Sequence, residues 1–106
     1  MKPLVPSTGT IPVLCAHGFL GAPDDWIPLA RELGPSCRVF AWPLPGHGSA
    51  SARDFEGAVR ALSSELNAFR RPMHLIGYSM GGRLALAAAL RPECRLASLT
   101  ILSAQP

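Results

Sequence analysis

The stretch His74-Leu75-Ile76-Gly77-Tyr78-Ser79-Met80-Gly81-Gly82-Arg83-Leu84-Ala85 opens as an apolar run and passes into an alanine-rich segment that reaches Leu90. The first part suits a buried strand and the second a helix, so a sharp strand-to-helix turn falls on Ser79. Gly77 and Gly81 keep side-chain bulk away where neighbouring backbone must pass closely. A serine at such a junction is held in a strained backbone conformation with its hydroxyl exposed, as an activated nucleophile requires. Met80 begins the helix, and its backbone N–H is placed to donate to a developing oxyanion. Arg83 lies one helical turn beyond Ser79, so it can face the same site and clamp a carboxylate with two hydrogen bonds, or else it is a solvated helix arginine. Tyr78 either offers its hydroxyl to a substrate or packs.

Upstream, Ile11–Ala16 is a short continuous apolar run, the pattern of a strand buried on both faces. A glycine-rich loop follows. Trp26, Leu29, Ala30 and Leu33 then make one apolar helical stripe, with Asp25 expected as the cap and Gly34-Pro35 as the stop. Trp26 reads as core rather than ligand. Cys37–Trp42 is a second strand, and a turn-rich connection, PLPGHGSASARD, leads to a helix carrying Phe55, Ala58, Val59, Leu62, Leu66 and Phe69. Pro72 stops that helix. Met73–Tyr78 is the third strand, Met80 to about Leu90 the third helix and Leu96–Leu102 a fourth strand. The predicted fold class is α/β: a parallel sheet of about four strands with flanking helices and right-handed crossovers. Ligands on such sheets bind beyond the carboxyl ends of the strands, where the loops of Gly18, Gly46 and Ser79 emerge.

Composition narrows the function. With 48% hydrophobic and 16% charged residues the chain can pack a core. The formal net charge is only +3, and Arg70-Arg71 is the one adjacent basic pair, so no nucleic-acid partner is expected. No segment is apolar for long enough to span a membrane, and the N-terminus lacks the pattern of a signal peptide. Cys15, Cys37 and Cys94 are an odd number without metal-ligand spacing, which fits free thiols in a reducing cytoplasm. GFLG and GHGS do not make a phosphate loop, and no His/Cys/Asp cluster has ligand spacing, so neither cofactor nor metal is expected.

His17-Gly18-Phe19 closes the first strand, and Phe19 is the expected second oxyanion donor through its backbone N–H. Taken together, HGFLG, PLPGHG and GYSMGGRLAL resemble the N-terminal half of an α/β-hydrolase. The Tyr78–Arg83 run and the LTILSAQP ending further resemble the 2-succinyl-6-hydroxy-2,4-cyclohexadiene-1-carboxylate synthases of menaquinone biosynthesis. The resemblance runs from about Val13 to Pro106. It implies a lyase in which a histidine-activated Ser79 removes a proton from a succinyl-bearing cyclohexene and pyruvate is eliminated. Phe19 and Met80 would then hold the oxyanion and Arg83 a carboxylate of a small anionic substrate.

Residues 1–106 depart from that pattern in one respect. The hydrolase order places an acid and then a histidine after the serine. After Ser79 there is no histidine, and Glu93 is the only acidic residue. His17 belongs to the turn before Phe19, His74 starts a strand at the wrong end of the sheet, and only His47 leaves a strand at the right edge. The chain is therefore expected to be a partial hydrolase domain without the cap and the acid/histidine portion. Two other readings stay open: a serine carboxylesterase or related acyl hydrolase, and a non-catalytic domain that associates through an exposed sheet edge.

Overall fold

In the computed structural model of the chain, the structure describes residues 2–18, 21–43 and 54–102. The elements run β1 (Ile11–Ala16), a 3-10 turn (Pro23–Trp26), α1 (Ile27–Leu33), β2 (Cys37–Trp42), α2 (Phe55–Ala68), β3 (Met73–Tyr78), α3 (Met80–Ala89) and β4 (Leu96–Leu102). All four strands pair in parallel, in the order β2-β1-β3-β4. The four strand spans agree with the sequence reading.

The start of the first helix differs from expectation. Asp25 is not the residue preceding the helix; it sits third in the 3-10 turn, where its carboxylate accepts from Ala22 N–H at 2.9 Å while its own N–H donates to Ala22 O at 3.0 Å. Pro23 explains the shift. Its fixed φ and missing N–H suit the first position of a helical turn, so winding begins there rather than after Asp25. The apolar stripe is also narrower: Trp26 and Ala30 are buried, but Leu33 is 38% exposed. The second helix follows its periodicity from Ala58 onward, whereas Phe55 is 45% exposed and Phe69 lies just past the helix. Ala58, Val59, Leu62 and Leu66 are buried, and Asp54 caps the start by accepting from Gly57 N–H at 2.6 Å.

The helices divide between the two faces of the sheet. Alternation along β1 sends Leu14 and Ala16 one way and Val13 and Cys15 the other. Leu14 and Ala16 join Phe40, Trp42, Leu75 and the buried residues of α2 and α3 in the larger core. Val13 and Cys15 join Val39, Ala41, Trp26 and Ala30 in the smaller one. All three cysteines are free, and burial pushes the Cys15 thiol up to about 12 from an ordinary 9.0.

This arrangement fixes where a site can form. The chain leaves β1 toward one face and one edge, and leaves β3 toward the other face and the other edge. The strand order therefore reverses between β1 and β3, and a crevice opens beyond their carboxyl ends.

Candidate active site

Ser79 stands at that crevice, directly after β3. Its φ of 54° and ψ of −117° make it the only non-glycine with positive φ among the described residues. Such a conformation costs on the order of 1–3 kcal/mol and persists only where its surroundings enforce it. Two hydrogen bonds do so: Ser79 N–H donates to Leu102 O at 2.9 Å, and Arg83 N–H donates to Ser79 O at 3.1 Å. The first ties the turn to the end of β4, and the second opens α3.

The glycines complete the restraint. A Cβ on Gly77 would lie 2.5 Å from Gly81 O, and one on Gly81 would collide with the carbonyls of Ala16 and His17. Helix α3 thus seats its first turn on the end of β1, and no side chain fits between them. Gly18 meets the serine itself: a Cβ there would lie 3.1 Å from Ser79 Cβ and 3.2 Å from the Tyr78 ring. Sequence reasoning missed this contact between residues 61 positions apart, because a glycine in a loop reads locally as a turn. Gly18 also makes that turn, accepting from Gly21 N–H at 2.9 Å.

Met80 is the first residue of α3, so its N–H lies in the turn that has no intrahelical acceptor. Phe19 lies outside the described residues, as do Gly46 and His47. Tyr78 ends β3, 48% exposed. It lines a cavity of about 220 Å³ together with His17, Gly18, Asp25, Trp26 and Leu102. Trp26 is 8% exposed and belongs to the smaller core, as expected, and its indole Nε1 is buried without a partner among the described residues. Ser79, Met80 and Arg83 lie outside the described lining of that cavity, which borders the serine through Gly18 and Tyr78. Arg83 is exposed on α3 and forms no ion pair among the described residues.

Among the described residues no hydrogen bond joins the Ser79 hydroxyl to a histidine or a carboxylate. His17 is buried, with Nδ1 2.8 Å from Gly18 O, a local hydrogen bond. His74 bonds Ser98 Oγ at 2.7 Å near the opposite end of β3, about 16 Å along the strand from Ser79. Glu93 accepts from Arg91 Nε at 2.7 Å, and that guanidinium holds its carboxyl below the usual range. The described residues thus assemble the strand-to-helix turn, with the Met80 N–H in the first turn of α3.

Comparison with known proteins places the chain. Residues 13–105 match the sequence profile described as the Alpha/beta hydrolase family. The 2-succinyl-6-hydroxy-2,4-cyclohexadiene-1-carboxylate synthase of Klebsiella pneumoniae (strain 342) is 37% identical over 99 residues, covering 85% of this chain and 37% of that protein. The structure of MenH from S. aureus superposes with a TM-score of 0.80 at 25% identity, covering 100% of this chain and 41% of that one. The type II thioesterase BorB from the borrelidin biosynthetic cluster superposes with a TM-score of 0.80 at 28% identity, covering 97% of this chain and 46% of that one. The chain spans less than half the length of each of these proteins.

Proposed function

This chain belongs to the Alpha/beta hydrolase family, and from that premise we propose that it carries the nucleophile portion of a carbon–oxygen lyase of the 2-succinyl-6-hydroxy-2,4-cyclohexadiene-1-carboxylate synthase type. The observation that carries the proposal is the strained Ser79, pinned by Leu102 O and pressed on Gly18 at the strand-order switch. The 37% identity to the Klebsiella synthase supports the choice of reaction. An acid and a histidine supplied from outside the described residues complete the machinery.

In this reaction the histidine takes the Ser79 hydroxyl proton. Ser79 Oγ then takes a proton from the ring carbon beside the succinyl carbonyl. The electron pair left behind passes onto the carbonyl oxygen, which the N–H groups of Phe19 and Met80 stabilise. Its return into the ring shifts the ring double bond and breaks the bond to the enolpyruvyl oxygen. The enolate of pyruvate leaves and takes up, at its methylene carbon, the proton that the histidine holds, which restores the neutral base. Arg83, without an acidic partner, holds a substrate carboxylate from the first turn of α3. No cofactor takes part. The three free thiols fit a reducing cytoplasm. Among the described residues no helix is long and apolar enough to cross a membrane.

The test is pyruvate release from the succinyl-enolpyruvyl-hydroxycyclohexene carboxylate by the protein supplied with the acid/histidine portion of a relative. Ser79→Ala is expected to abolish release, and Arg83→Ala to lower kcat/KM by about 100-fold, the scale of a lost bidentate ion pair. The similarity to the BorB thioesterase favours a second reading, acyl hydrolysis by the same serine. Faster turnover of p-nitrophenyl acetate than of the cyclohexene, untouched by Arg83→Ala, would decide for it. Strand β4 pairs only with β3 among the described strands, so its open edge is the surface through which this chain associates with another strand. A strictly monomeric mass by light scattering at all concentrations would remove that association.

A further inference from the structure

A second described cavity does not lie at Ser79. It measures about 440 Å³ and lies at the opposite end of the sheet, about 20 Å away along the strands, where β1 and β2 begin and where α2 gives way to β3. Arg38, Arg70 and Arg71 line it, with Thr10, Pro12 and Phe69. These arginines come from two separate segments. Pro12 and Arg38 are register partners across β1 and β2, and Arg70-Arg71 follow α2.

None of the three forms an ion pair among the described residues, and no acidic residue lines the cavity. One of the three cations is held in place. Arg38 lies over the Phe40 ring, 5.7 Å from its centroid, and Phe40 is fixed edge-to-face against Phe69 at 5.1 Å. Glu65 lines only a neighbouring cavity that shares Arg38 and Phe69. Guanidinium groups recognise carboxylates and phosphates through paired hydrogen bonds, and Pro12 and Phe69 add an apolar wall on which a flat ring can lie.

We infer that this groove is a second ligand site, distinct from the Ser79 crevice, which takes a small polyanion carrying a planar ring. Its anionic groups sit on Arg38, Arg70 and Arg71, and its ring lies against Phe69 and Pro12. The inference is independent of the reaction assigned to Ser79.

Benzene-1,3,5-tricarboxylate is the probe, followed through backbone amide NMR shifts of the whole chain, with citrate as the ringless anion. The expected result is a saturable shift at Thr10, Arg38, Arg70 and Arg71 that leaves Tyr78 and Ser79 unmoved. Citrate should bind about tenfold more weakly, because it lacks the ring contact. The double variant R70A/R71A should weaken the tricarboxylate by about tenfold or more. Both side chains are exposed, so its melting temperature should match the parent and separate lost binding from lost folding. Any of three results would overturn the site: shifts that never saturate, equal response to both anions, or R70A/R71A binding as the parent does. Shifts centred on Tyr78 would assign the anion to the crevice instead.

Discussion

The two ends of the sheet are built on different principles. At the carboxyl end, backbone decides everything: glycines pass within contact of carbonyls, and one serine is forced to positive φ beside a cavity of about 220 Å³. At the amino end, side chains decide: two phenylalanines wedge together, and three arginines surround a cavity of about 440 Å³. The first end tolerates no added atom and the second tolerates many. A site for bond-breaking needs the former, because a nucleophile misplaced by an ångström loses its geometry. A site that only holds charge can be made from flexible groups.

Gly81→Ala should break this contrast most severely. Its methyl meets the Ala16 and His17 carbonyls, neither of which can yield without moving β1, so a loss of about 3 kcal/mol or more, or failure to fold, is expected in urea titration. A stability within 1 kcal/mol of the parent would show that the carboxyl end is softer than the contacts imply.

At the other end, Phe69→Ala should cost about 2 kcal/mol, less than a fully buried phenylalanine, because the ring is only half-buried. Labelling of Ser79 by a fluorophosphonate, in the protein supplied with the acid/histidine portion of a relative, should be unchanged. Coupled loss of both would mean that the two ends are not independent.

Cys15 reports how dry the interior is beside the crevice. Its thiol stays neutral up to about 12 in the folded chain but ionises near 9.0 when unfolded. Stability from this group is therefore complete below pH 9 and declines as pH rises toward 12, by at most about 1.4 kcal/mol per pH unit. Cys15→Ala should remove that part of the alkaline slope in melts between pH 9 and 11, and an unchanged slope would place the thiol in a wetter setting.

The smallest effect is a gain. Ser79→Gly relieves the positive φ, and the relief offsets the extra freedom of glycine in the unfolded chain, so stability should rise by about 1 kcal/mol while Ser79→Ala stays near the parent. Equal stability of the two variants would mean that residue 79 stores no strain.

Much of this was legible in the residues. The strand spans, the sharp turn at Ser79 and the α/β class follow from patterns that repeat every two or 3.6 residues and from glycines two positions either side of one serine. Where reading failed, the cause was specific. Asp25 has the side chain of a residue that precedes a helix, whereas Pro23 starts a tighter turn earlier. Arg83 keeps its predicted place one turn beyond Ser79 and is exposed on α3.

The sequence by itself determined the bent junction at Ser79, because the steric demands of a strand running straight into a helix act between immediate neighbours. Only the tertiary structure decided that β1 lies between β2 and β3, that Gly18 touches Ser79, that Leu102 pins it, and that Arg38 joins Arg70-Arg71. Those contacts join residues 23 to 61 positions apart. They form when the apolar faces of the whole chain are buried together, and no local pattern carries that information.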